Sequence, residues 1–150
     1  MQSFIATTLV WIVAQLGYGG ALPPPRVQIV APAQLMEIAA AGDPSIQDFI
    51  DQHNANLGGL YIPGSGTIYL PQDFNFHAFD DKVTLVHEMV HYAQDRLGIR
   101  GPASGLESQA YEIQYRWRDG NQGANRTGTA NDTYSTGGSG TRQVHTFGNR

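Results

Sequence analysis

The stretch Thr84-Leu85-Val86-His87-Glu88-Met89-Val90-His91-Tyr92-Ala93 decides how the rest of the chain reads. It contains His-Glu-x-x-His. On a helix, positions four apart lie on one face about one turn apart, so His87 and His91 can close on a single metal ion. Glu88 sits beside them, placed to take a proton from a water on that ion. Val83, Val86, Val90, Ala93 and Leu97 form one apolar line of the helical wheel, and Leu85, Met89 and Tyr92 form another. Between the two lines runs a polar strip of Thr84, His87, Glu88, His91 and Asp95. A helix apolar on two sides belongs inside a domain. Its polar strip then needs a partner, because unpaired polar groups are costly to bury. A metal ion would satisfy the strip; the plainer alternative is a buried helix that happens to carry two histidines.

The flanks of the motif add to it. Thr84, Leu85, Met89, Val90 and Tyr92 are uncharged where the longer zincin pattern wants uncharged residues, so residues 84–93 resemble the zincin metallopeptidases. The resemblance implies a peptidase that uses zinc on His87 and His91, with Glu88 as general base. A catalytic zinc has three protein ligands and keeps a fourth place for water. The chain has no cysteine, so the third ligand must be His, Asp or Glu. Asp95 lies one turn further along the same strip, too far to converge with both histidines. No His follows before His145, which sits in a polar tail. Glu107 and Glu112 remain, on the next expected helix.

Glu107-Ser108-Gln109-Ala110-Tyr111 resembles the E-x-x-A pattern of the gluzincin branch, which puts Glu107 ahead of Glu112 as the third ligand. The plainer reading of Glu107 is a capping box from Ser104; that of Glu112 is a surface pair with Arg116. Larger gluzincins often carry an acid four residues past the third ligand. Here that place holds Tyr111, which the resemblance leaves as support for a zinc histidine or as an oxyanion donor. The whole resembles a minigluzincin: a small single-domain α+β fold, helices packed on a short mixed sheet with a β-hairpin.

Length and composition agree with a single domain. The chain has 150 residues, 41% of them apolar, and a net charge of −4. That balance excludes nucleic acid as the expected partner. Residues 1–119 carry six basic and twelve acidic side chains, whereas residues 120–150 carry three Arg and one Asp. The later segment holds seven Gly among many Ser, Thr and Asn, and is expected to be a disordered tail. The metallopeptidase domain is therefore expected over residues 1–119.

Ile5, Leu9, Ile12 and Leu16 recur at helical spacing, which predicts an amphipathic helix ending near Gly17. The same stretch could serve as a signal peptide, but no Lys or Arg precedes it. A folded helix, and with it a cytoplasmic location rather than a secreted one, is the expectation; a membrane span would need about 20 apolar residues. After the rigid Pro23-Pro24-Pro25, Arg26–Val30 reads as a strand and residues 32–40 as a short helix. Asp43-Pro44 opens a further helix that would bury Ile46, Phe49 and Ile50 and carry His53 near its end. Residues 58–62 and 67–70 flank Pro63-Gly64-Ser65-Gly66, a hairpin by its turn chemistry. In zincins generally a strand near the metal pairs with substrate, and the resemblance would give that task to Thr67–Leu70 or Leu60–Ile62. His77, in the loop before the metal helix, is either a substrate contact or merely exposed. Asp80 and Asp81 suit the start of that helix by capping and by its dipole, and Gly98 ends it. A last helix is expected from Ser104 to Asp119, burying Leu106, Ala110, Ile113 and Trp117.

Taken together these expectations describe a monomeric zinc peptidase acting on peptide or protein. The alternatives are a catalytically weak or inactive zincin-fold protein with a regulatory or binding role, and a binding module without metal.

Overall fold

The computed structural model describes residues 1–42 and 57–125. The expected helix after Asp43, His53 and the tail from residue 126, including His145, lie outside the described residues. Among those described, the chain forms an α+β fold of four helices and a three-stranded mixed sheet. The elements are α1 (Gln2–Gln15), β1 (Arg26–Val30), α2 (Pro32–Gly42), β2 (Leu60–Tyr61), β3 (Thr67–Pro71), α3 (Phe79–Arg96) and α4 (Ala103–Asn125).

The strand order is β1-β3-β2. β1 runs parallel to β3, with Arg26 opposite Thr67 and Val30 opposite Pro71. β2 is antiparallel to β3, with Tyr61 opposite Ile68, and closes the expected hairpin. Side chains of a strand alternate between the two faces of a sheet, and both faces are covered here. Ile68, Leu70 and Tyr61 enter the core shared with α1, α3 and α4. Leu60 and Val30 join Leu35 and Ala39 of α2 in a smaller cluster, with Tyr69 packed against it. The sheet is thus a plate with α2 on one side and the site-bearing helices on the other.

α1 buries Ile5, Leu9, Ile12 and Val13, on the face its spacing predicts. Phe4 meets Trp117 of α4 edge-on, and Phe79 of α3 stacks on the same indole, so one aromatic joint ties three helices. The Tyr92 hydroxyl donates to the Pro23 carbonyl and fastens the proline connector to α3. No helix among the described residues is long and apolar enough to cross a membrane.

α3 is central, as its two apolar lines require: Leu85, Val86, Met89, Val90 and Ala93 are all fully buried. It ends as expected. Gly98 takes a φ of +69°, its N–H donates to the Asp95 carbonyl, and Ile99 N–H donates to that of Gln94. Its start differs from expectation. The N-cap is Ala78, with no side-chain cap bond. Asp81 instead reaches back to accept the Asn75 N–H, so it braces the preceding loop, while both acids still lie in the first turn where the dipole favours them.

α4 also departs from expectation, continuing six residues past Asp119 to Asn125. Gly120 marks a composition change but not a helix stop. A glycine in an exposed helix costs about 1 kcal/mol relative to alanine, and a helix already nucleated against a core bears that cost. Asn121 adds a bond from its side-chain amide to the Trp117 carbonyl.

Candidate metal centre

α3 presents His87 and His91 one turn apart on its polar strip, and α4 crosses that strip. The crossing is close because Ala110, fully buried, is only a methyl group. Three residues earlier on α4, Glu107 therefore faces both imidazoles. One of its oxygens lies 3.3 Å from His87 Nε2 and the other 3.0 Å from His91 Nε2. The two Nε2 atoms are 3.1 Å apart. Among the described residues, His87, His91 and Glu107 form the group whose donor atoms converge closely enough to hold one metal ion.

The outer nitrogens decide what the inner ones are. His87 Nδ1 lies 2.8 Å from Gln114 Oε1, and His91 Nδ1 lies 2.9 Å from Gln94 Oε1. The Gln94 amide nitrogen donates to the Leu106 carbonyl and to Gln109 Oε1, which turns the Gln94 oxygen toward His91. An amide oxygen only accepts, so each histidine carries its proton on Nδ1 and turns a lone pair inward on Nε2. Two such lone pairs and a carboxylate gathered within 3.3 Å repel one another unless a positive charge stands among them. Zinc with nitrogen bonds of about 2.0–2.1 Å spaces tetrahedral donors by about 3.3 Å. The donor set fits such an ion.

Charge acts in the same sense. Burial works against ionisation of Glu107, but with a proton on the imidazoles in place of an ion the bonds and charges of His87 and His91 outweigh it and hold the carboxyl down at about 2. Burial likewise opposes a charge on His91, yet Glu107 and Glu88 raise it above its ordinary value. The place between these groups is one that favours a cation.

Glu88 is completely buried. Its Oε2 accepts the Tyr61 backbone N–H from β2 at 2.8 Å, while Oε1 has no hydrogen-bond partner among the described residues. Burial raises its pKa, against the pull of His87 and His91. A bare residue just before β2 makes its approach possible. A Cβ on Gly59 would come within 3.1 Å of Glu88 Cγ and 3.2 Å of Leu70 Cδ2. Tyr111 tilts its ring against His87, 4.6 Å between centroids. Burial and the nearby Glu107 charge push its phenol up to about 12, so it keeps its proton at neutral pH and remains a donor.

The remaining candidates are placed elsewhere. Glu112 is exposed and pairs with Arg116, its plainer reading. The capping-box alternative for Glu107 does not form, since its carboxylate faces α3 and not its own helix start. Asp95 is outside the donor group and accepts from the Tyr61 hydroxyl and the Gly64 N–H. His77 is exposed in the loop, its N–H donating to Asn75. β3 is paired on both sides and offers no free edge, so of the two strands proposed for substrate only β2 lies at an edge of the sheet formed by the described residues.

Sequence reasoning missed the two glutamines. Each sits on the face of a candidate ligand, Gln94 three residues after His91 and Gln114 seven after Glu107, and that spacing is the signal that could have found them.

Fold and donor set define a small α+β protein with a candidate His2Glu metal centre. The chain belongs to the family described as a domain of unknown function, DUF6647, whose model matches residues 1–127. The match spans every described element and ends two residues past α4. No curated protein and no solved structure matches the chain.

Proposed function

We propose that the protein is a zinc-dependent peptidase of the gluzincin kind, with His87, His91 and Glu107 as ligands and Glu88 as general base. The observation that carries the reading is the convergence of three inward-facing acceptors beside a buried carboxylate that has one oxygen unpartnered among the described residues. The ion, when bound, supplies Lewis acidity for the scissile carbonyl and makes water at the site more acidic.

The chain's own residues do the rest. The Tyr61 N–H fixes Glu88 through Oε2, leaving Oε1 to take up a proton and pass it to the leaving amine. Its raised pKa brings it nearer to the range a general base needs at neutral pH. Tyr111, still protonated, either donates to oxygen as charge develops there or supports His87. β2, the short edge strand clasped to Glu88, is the element against which a peptide backbone would lie.

The test is direct. Protein purified without chelator contains about one zinc per chain and cleaves unstructured peptides. Glu88→Gln keeps the zinc and loses cleavage by about 10²–10⁴-fold, because the amide fits the space but cannot carry the proton. Protein with no transition metal would overturn the metal assignment; cleavage indifferent to Glu88→Gln would overturn the mechanism. The complete burial of Glu88 favours one second reading, a zinc-bearing regulatory protein with little turnover. Zinc retention without any Glu88-dependent cleavage across a broad peptide library would select it.

A further inference from the structure

A cavity of about 390 Å³ opens beside the metal centre, with His91 and Glu107 in its wall. The β2–β3 turn, the end of α3 and the start of α4 enclose it. Pro63, Ile99, Ala103 and Leu106 give it apolar sides. Its polar groups sort by what they already do. Gln94 is spent at both ends, and the Tyr61 hydroxyl donates to Asp95 at 2.7 Å. Asp95 and Arg100 remain.

Asp95 is held rigidly through one oxygen. Oδ2 accepts from Tyr61 and, at 2.9 Å, from the Gly64 N–H. Among the described residues Oδ1 meets Arg100 Nη1 at 3.9 Å, too long for a hydrogen bond, and the Arg100 side chain is 74% exposed. Burial pulls the Asp95 pKa up, but the two bonds and the charges of Arg100 and Arg96 outweigh it and hold the carboxyl below its ordinary value. The cavity therefore offers a fixed negative oxygen behind apolar walls, about 6 Å along α3 from His91.

We propose that this cavity is the specificity pocket of the peptidase and takes a lysine or arginine side chain of the peptide, with Asp95 Oδ1 as its counter-ion. The proposal rests on the peptidase reading for its substrate class. The aliphatic stem of such a side chain passes Ile99 and Leu106, and its cationic head completes the unused side of Asp95. Arg100, on the α3–α4 connection, stands at the mouth as the chain's own cation and gives way to that of the substrate. An apolar side chain fits less well, because it would desolvate Oδ1 without bonding it. An acidic one would meet two carboxylates in the wall and only a solvent-borne guanidinium in return.

The experiment measures binding, not turnover. Zinc-loaded Glu88→Gln protein is titrated with labelled peptides in which each position in turn carries arginine, lysine, norleucine or glutamate in an otherwise fixed background. At one position the basic peptides bind about 10- to 100-fold tighter than norleucine, the worth of a charge-assisted hydrogen bond. Adding Asp95→Asn, which keeps an acceptor for Tyr61 and Gly64, erases the preference while zinc content stays the same. Adding Arg100→Ala at an exposed position preserves or sharpens it, and this arm decides the matter if Asp95→Asn fails to fold. Equal binding of all peptides, no binding at all, or a preference that vanishes with Arg100→Ala overturns the pocket. A glutamate preference that depends on Arg100 does so too. If wild type cleaves peptides with no basic preference, the pocket alone fails. If basic peptides bind through Asp95 and wild type cleaves none of them, the peptidase reading fails and the pocket stands.

Discussion

His87 and His91 are held by the same device in opposite surroundings. Each gives its Nδ1 proton to a glutamine oxygen and turns Nε2 toward Glu107. His87 is fully enclosed, with Gln114 buried behind it and Tyr111 across its ring. His91 is 13% exposed and forms part of the cavity wall. One end of the centre is packed as core and the other is open to a ligand. The glutamines differ in the same way: Gln94 also bonds the Leu106 carbonyl and Gln109, so it fastens the start of α4 to α3 as well as orienting its histidine. On the proposed reading, fixing a metal and admitting a substrate would be divided between two residues four apart.

The largest expected effect tests that division on the histidines themselves. His87→Ala and His91→Ala should each abolish stoichiometric zinc binding, since two donors do not make a site of this kind. Their effects on the metal-free fold should differ. Removing His87 leaves a void among packed residues and strands the buried Gln114 oxygen, about 2–4 kcal/mol together. Removing His91, at the open end, should cost about 1 kcal/mol, because water can reach the space. Denaturant melts in the presence of chelator measure both. Equal losses would break the comparison and mean that the two ends are packed alike.

Exchanging the glutamines sharpens it. Gln114→Leu should lower zinc affinity about 10- to 100-fold, as loss of a partner that orients a metal-bound imidazole does, and should cost about 1 kcal/mol of stability by stranding the buried His87 Nδ1–H. Gln94→Leu should show a similar loss of affinity plus about 1–2 kcal/mol of stability from its severed bonds to α4. Chelator competition reads the first quantity and thermal melts the second. If Gln114→Leu proved the more destabilising fold variant, the assignment of the inter-helix joint to Gln94 would be wrong.

How much of this the sequence discloses follows the range of the interaction. His87, Glu88 and His91 are local, because the helical repeat alone puts them together. α1, β1, the hairpin and the end of α3 are local as well, written in apolar spacing, β-branched alternation and glycine. Glu107 is less so; only the resemblance to the E-x-x-A pattern ranked it ahead of Glu112, and the close crossing over Ala110 is what brings it to the imidazoles. Gln94 and Gln114 are harder still, since an amide acquires this role only from where one helix crosses another. That β3 is the central strand depends on its parallel pairing with β1, some forty residues away, which no turn residue signals. The end of α4 differs from the sequence expectation for the opposite reason. Gly120 is a strong local signal, and the long packed helix overrides it.

The smallest expected effect concerns a glutamate that the sequence offers as a rival ligand. Glu107 and Glu112 lie five residues apart on α4, about 140° around the helix, so they cannot face the same neighbour. Glu107 faces α3 and its charge is held by two imidazoles. Glu112 faces solvent and meets Arg116 one turn on, an exposed i,i+4 pair whose side chains are 60% and 53% accessible. Such a pair contributes about 0.5 kcal/mol or less, diminishing with salt. Glu112→Ala should therefore leave zinc content unchanged and shift the melting temperature by no more than a degree or two, whereas Glu107→Ala should release the metal. Arg116 also donates to Gln15 at the end of α1, so its side chain keeps a partner when Glu112 is gone. Loss of zinc in Glu112→Ala, with Glu107→Ala retaining it, would invert the site: α4 would have to present its other face to α3, and the packing of Ala110, Ile113 and Trp117 would have to be abandoned with it.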